Sequence, residues 1–228
     1  MNQDNTDNSI DIFSILREAF KIYRKWFSLL IALSLIYGIL SEFIDFIFYP
    51  SLQQNVFTIA FLIQFIILCW VLIAFIDAIS KIYQGNPVSF KEAILVPKNY
   101  YFLFLAVSFS EIFMSYIGLR LLIIPGIYLG TVFTFANFLV VLEKKNYLDS
   151  FEGSFNLVRG RFWNVLLFNL VLVTFFIMLL FLTQVLVLGN QAIAFRLAKV
   201  LSIAFMPFFI ISQVGLYLRI KDVHGLRT

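Results

Sequence analysis

The stretch from Tyr100 to Leu142 limits what this chain can fold into more than any other. Over its 43 residues only Glu111 and Arg120 carry charge. A straight helix of that length would run ~65 Å, about twice a ~30 Å hydrocarbon core. The stretch must therefore cross a membrane twice and reverse in between. Ile124-Pro125-Gly126 is the expected reversal. Proline lacks the N–H that would continue a helix, and glycine accepts the backbone angles of a sharp turn. That places span three at about 100–123 and span four at about 126–142.

The rest of the chain reads the same way. Apolar residues make up 61% of the sequence, which includes 29 Phe, and charged residues only 13%. Soluble proteins average ~25% charged residues, and a soluble domain of this size has too little interior to hide so much apolar surface. The expected fold class is all-α and polytopic, a single membrane domain over 10–217 in which six spans are joined by three amphipathic surface helices. Residues 1–9 (MNQDNTDNS) are polar and expected to be disordered. They lack the cationic start, apolar run and cleavage site of a removable signal. Residues 218–228 form a short tail.

The first amphipathic helix is expected over Ile10–Lys25. Asp11, Ser14, Arg17, Glu18, Lys21, Arg24 and Lys25 lie on one side, and Ile10, Phe13, Leu16, Phe20 and Tyr23 on the other, as in a helix lying in the head-group layer. Span one follows at about 26–49, stopped by Pro50. The uncharged connector 51–55 leads to span two at about 56–80. After the hinge Gln84-Gly85-Asn86-Pro87, Ser89 and Glu92 have capping-box spacing and start a second surface helix. A third, Tyr147–Arg159, sets Phe151, Phe155 and Val158 against Glu152, Asn156 and Arg159. Span five is expected at about 162–188 and span six at about 192–217, bent or loosened at Pro207, with a turn at Gly189-Asn190 between them.

Basic residues set the orientation. Arg17, Lys21, Arg24 and Lys25 precede span one, and Lys81, Lys91 and Lys98 join spans two and three. Lys144, Lys145, Arg159 and Arg161 join spans four and five, and Arg219, Lys221 and Arg227 follow span six. Fourteen of the 17 basic residues thus share one side, leaving Arg120, Arg196 and Lys199 for the other. Both termini are therefore expected in the cytoplasm. Basic groups in these places point to lipid head groups rather than nucleic acid. Arg17-Glu18-Ala19-Phe20 parallels Lys91-Glu92-Ala93-Ile94, and Ser89-Phe90 parallels Ser150-Phe151. With the order of elements, this suggests a threefold internal repeat of one surface helix and two spans.

Between Leu122 and Trp163 the chain resembles a known family. The matching features are Ile124-Pro125-Gly126 with Tyr128, Glu143 closing the next span, the Ser150/Ser154 helix, and Arg159-Gly160 ahead of Phe162-Trp163. Together they are similar to the YciC-like bacterial inner-membrane proteins and to the membrane domain that precedes some glycerophosphodiester phosphodiesterases. The strong match covers about a fifth of the chain. The resemblance implies a bacterial inner-membrane location and the six-span layout, but no activity. Unlike the fused enzymes, this sequence carries no catalytic domain after Tyr217.

Few side chains could do chemistry. One cysteine, Cys69, and one histidine, His224, leave no metal cluster and little acid–base chemistry. Cys69 reads as a small apolar filler. Phosphate loops and paired histidine or carboxylate constellations are absent, so no enzyme and no cofactor is expected. Glu111 lies ~16 Å into its span, near the bilayer middle, where an ionised carboxylate costs at least ~2.5 kcal/mol. It must be protonated, paired, or facing a wet cavity. One reading is a proton or substrate site. The other is an interhelical hydrogen bond to Gln64, Asn137, Asn169 or Thr174, which the lack of an intramembrane base favours. Glu42 and Asp45 share the outer leaflet with Arg120, Arg196 and Lys199. They read as interfacial anchors, or as ion pairs tying spans one, three and six together. Gly126 and Gly130, continued by Thr134, form a small-residue row for close helix packing. The expected function is a non-enzymatic envelope, membrane-organising or lipid-associated role. Its partners would be membrane lipids, other membrane proteins or further copies of the chain. A small transporter or channel using Glu111 is the alternative.

Overall fold

The computed structural model describes residues 11–48, 54–95, 100–187 and 190–223. The expectations for residues 1–10, 49–53, Lys98, 188–189 and 224–228 lie outside them. Every regular element among the described residues is helical. Six helices are long and apolar enough to cross a membrane: Phe27–Phe48, Ile59–Tyr83, Tyr101–Arg120, Ile123–Leu142, Phe162–Val185 and Ile193–Asp222. The chain is an all-helical, multi-pass membrane protein.

The chain order is a short helix followed by two spans, three times over. α1 (Ile12–Lys25) precedes α2 (Phe27–Phe48) and α3 (Gln54–Tyr83); α4 (Phe90–Ile94) precedes α5 (Tyr101–Leu121) and a broken span made of α6 (Ile123–Val132) and α7 (Ala136–Leu142); α8 (Tyr147–Val158) precedes α9 (Phe162–Leu186) and α10 (Gln191–Val223). Local chemistry starts the short helices. Asp11 caps α1 by accepting from the Ser14 N–H at 3.2 Å. Ser89 and Glu92 close a capping box on α4, and Asn146 caps α8 through the Asp149 N–H at 3.0 Å. Gly160, at φ +85°, supplies the left-handed residue that turns the chain from α8 into α9.

Three expectations need correction. The reversal between spans three and four falls on one extended residue, Leu122, not on Ile124-Pro125-Gly126. Pro125 sits in the first turn of α6, where a missing N–H costs nothing because those N–H groups have no helical partner. Gly126 has ordinary helical angles and is needed for proximity instead. A Cβ there would lie 2.5 Å from the Leu119 backbone nitrogen, and one at Gly118 would lie 2.7 Å from the Gly126 Cα.

Second, α1 does not simply lie outside the bundle. Ile15 and Ala19 are buried against α10, while Phe13 and Phe20 are exposed with Arg17 and Arg24. Ile15 packs beside Gly215, and the Tyr23 hydroxyl donates to the Ala204 carbonyl at 3.0 Å.

Third, α8 is an inner helix on one side. Ser150, Phe151, Ser154, Leu157 and Val158 are buried, and Phe155, expected on that side, is exposed. The break between α6 and α7 explains why. Across residues 133–135 the helical ladder is interrupted, and the Ser154 hydroxyl fills the gap by donating to the Val132 carbonyl at 2.7 Å and accepting from the Phe135 N–H at 3.1 Å. Lipid could satisfy neither backbone group.

The tightest packing gathers at the end of the bundle that bears the basic connections, from Val71–Ile82 of α3, Phe135–Val141 and Ile210–Ile220 of α10. α10 runs through Pro207 without interruption. Toward the other end, the interior opens into cavities.

Candidate functional site

α5 and the α6–α7 span meet along two facing stripes. On α5 the stripe is Ser108, Glu111, Ser115 and Gly118; across from it run Gly126, Gly130, Thr134 and Asn137. Gly118 meets Gly126, and a Cβ on Gly130 would meet the Ser115 hydroxyl at 3.4 Å. Spacings of three and four residues put each set on one helix face. Small side chains bring the backbones together near the reversal. Farther along, the stripes turn polar and part.

There Asn137 Nδ2 donates to Glu111 Oε2 at 2.7 Å, and the Ser108 hydroxyl donates to Asn137 Oδ1 at 2.9 Å. A second chain of bonds crosses to α9 and α10. Gln213 Nε2 donates to Asn169 Oδ1 at 2.6 Å, Asn169 Nδ2 to Thr134 Oγ1 at 3.4 Å, and Thr134 to the Gly130 carbonyl at 2.8 Å. Both chains border a cavity of about 400 Å³ with apolar walls that include Phe104, Phe138, Val173 and Phe209. A neighbouring cavity of about 460 Å³, lined by Cys69 and Ser115, touches the other side of Glu111 and Asn137.

Toward the opposite membrane face, Lys199 Nζ lies 2.8 Å from both Glu42 Oε1 and Asp45 Oδ2. Gln64 Nε2 donates to the other oxygen of Asp45 at 2.7 Å. Asp45, Gln64 and Lys199 edge a larger cavity of about 950 Å³ between spans one, two, five and six, into which Tyr37 and Ser41 also face. It shares Leu68 with both smaller cavities and Met206 with the first.

Comparison with family models, curated proteins and solved structures finds no match. Function must therefore be argued from the arrangement of side chains.

Of the four partners expected for Glu111, Asn137 is the one bonded to it. Gln64 belongs to Asp45, Asn169 joins Thr134 and Gln213, and Thr174 is exposed. No cation pairs with Glu111 among the described residues. The expected outer ion pairs join spans one and six through Lys199 alone. Arg120 turns back onto Tyr116, donating to its hydroxyl at 3.0 Å, so span three is not tied in. Arg196 is exposed, without an ion pair among the described residues. Gln213 escaped the sequence reading; the signal was an amide in the otherwise apolar run before Tyr217. No grouping of three metal-ligating side chains occurs among the described residues.

Lys199 holds two acids, so removing it should cost more than removing either. Lys199→Ala should lower stability by about 1 kcal/mol, the upper range for partly exposed pairs. The same substitution should have little further effect in a Glu42→Gln/Asp45→Asn background, as a double-mutant cycle on purified protein would record. Equal losses in both backgrounds would remove the triad.

A third cluster closes the basic end. Glu143, just past α7, accepts from the Tyr217 hydroxyl at 2.6 Å and pairs with Lys221 at 3.1 Å and Lys145 at 3.3 Å. Burial alone would raise its pKa, but the Tyr217 hydroxyl and the two ammonium groups outweigh it and hold the carboxyl below the usual range. A depressed pKa stabilises the fold above the unfolded value of about 4.3 and loses that contribution as pH falls through the folded value. Thermal melting should therefore decline between about pH 5 and pH 3 in wild type. Glu143→Gln should be less stable at pH 7 and flatter over that window; an unchanged acid slope would exclude the cluster as its source.

Proposed function

We propose that this chain is a non-enzymatic, lipid-associated protein of the bacterial inner membrane, with both termini and the basic connections in the cytoplasm. The carrying observation is the cavity of about 950 Å³ near Lys199. Its walls are mostly apolar, and Ile177, Phe181 and Phe195 in those walls are also exposed on the outside of the bundle. An acyl chain could enter sideways between α9 and α10. Asp45 and Lys199 stand at its polar edge, and Glu42 pairs with the same ammonium group from outside the lining, so two carboxylates against one ammonium leave excess negative charge there. That balance suits the amine of a zwitterionic phospholipid better than an anionic head group. The resemblance to YciC-like proteins and the bias of basic residues support the location and orientation. On this reading the exposed Phe13, Arg17, Phe20 and Arg24 stripe of α1 contacts the cytoplasmic head groups.

The test is native mass spectrometry of the full chain released from nanodiscs of equal phosphatidylethanolamine and phosphatidylglycerol. Phosphatidylethanolamine should be retained preferentially, and Glu42→Gln/Asp45→Asn should remove the preference. Equal retention of both lipids by wild type would overturn this reading.

The second reading, a small transporter or channel, draws on one observation: the outer and central cavities share Leu68 and Met206. It requires solute flux in reconstituted vesicles that Glu111→Gln abolishes.

A further inference from the structure

The central cavity has a polarity that the hydrogen bonds themselves dictate. Thr134 has one hydroxyl proton, and it goes to the Gly130 carbonyl. Its oxygen can therefore only accept from Asn169, which must present Nδ2 to it. Asn169 then turns Oδ1 to Gln213, which must answer with Nε2. The end of this chain is Gln213 Oε1. That side chain is 3% exposed, and its oxygen has no partner among the described residues. A buried acceptor left bare costs about 1–3 kcal/mol, so one without a partner at a cavity wall marks a place where something else belongs.

The second chain runs the same way. Ser108 donates to Asn137, and Asn137 donates to Glu111, so this chain ends at a carboxyl group with no cation beside it among the described residues. Both chains thus end at residues that line the same apolar cavity of about 400 Å³. A hydrogen-bond donor would satisfy Gln213 Oε1, and a positively charged one would also hold Glu111 in its ionised form.

We propose that the cavity bounded by Glu111, Asn169 and Gln213 is a binding site for a lipophilic primary ammonium ion. The ammonium group donates to Gln213 Oε1 and to the Glu111 carboxylate, and the apolar body lies among Phe104, Phe138 and Phe209. A lipid amine bound at the outer cavity would use different residues, so the two sites can fail separately.

The probe is radiolabelled 2-phenylethylamine, bound to the full chain in nanodiscs at pH 7, with 2-phenylethanol as competitor of the same shape. The amine should bind saturably, and the alcohol should compete at least tenfold less well. Glu111→Gln keeps an amide for Asn137 to meet but removes the charge, and should weaken amine binding at least tenfold. Gln213→Met fills the same volume without the oxygen and should weaken it severalfold. Glu42→Gln/Asp45→Asn, at the outer cavity, should leave unchanged the component of amine binding that Glu111→Gln removes. Absence of saturable amine binding by wild type overturns the proposal, as does equal competition by the alcohol, which needs no variant to observe. Unaltered affinity in a folded Glu111→Gln protein overturns it as well.

Discussion

Gly126→Ala should destabilise the protein by about 3 kcal/mol or more, and Gly126→Val should prevent its accumulation. A Cβ at this position would lie 2.5 Å from the Leu119 backbone nitrogen and from the Leu119 side chain. A side chain can rotate aside, but a backbone nitrogen in a helix cannot. The only relief is to push α5 and α6 apart. That separation would also open the contact of Gly118 with Gly126 and loosen every pair farther along the two stripes. Gly130→Ala is the matched control. Its Cβ would meet a serine hydroxyl at 3.4 Å, ordinary contact distance, and should cost less than about 1 kcal/mol. Thermal unfolding of the two alanine variants in detergent should separate clearly. Equal melting temperatures would mean that the hairpin is not packed as described.

The second large effect is expected at Ser154. Its hydroxyl serves two backbone groups at the break in span four, the Val132 carbonyl and the Phe135 N–H. Ser154→Ala strands both in an interior that admits little water. Each bare group costs about 1–3 kcal/mol, so a loss of about 2–4 kcal/mol is expected after some relaxation. Hydrogen exchange should report the place of the damage, with faster exchange at Phe135. Ser202→Ala is the contrast, because that hydroxyl bonds only the Ala198 carbonyl one turn back in its own helix. It should be close to neutral. If Ser154→Ala behaved like Ser202→Ala, the break would have to be sealed by some other group.

What could be read from the sequence followed hydrocarbon thickness. Long apolar runs bounded by charged segments on one side and by short turns on the other gave six spans, with ends within a few residues except at α10, which continues to Val223. Where one residue type has two uses, the reading went astray. Proline can end one helix or open the next, and Pro125 opens one. Glycine can turn a chain or admit a neighbour, and Gly126 admits one. In α8 the polar Glu152, Asn156 and Arg159 suggested a surface helix, yet Ser154 turns inward because a broken helix needs its hydroxyl. Arg196 and Lys199 are a single helical turn apart, and only packing decides that Lys199 meets the acids. Glu111 was conspicuous as a lone charge, whereas Gln213 became visible only when the hydrogen bonds were followed to their end.

The lone residue joining α5 to α6 has a consequence for how the protein is made. A connection that short cannot let the first helix settle across the bilayer while the second waits outside. The two must enter together, already side by side, so Glu111 moves into the lipid in the company of Thr134 and Asn137 and never as an isolated acid.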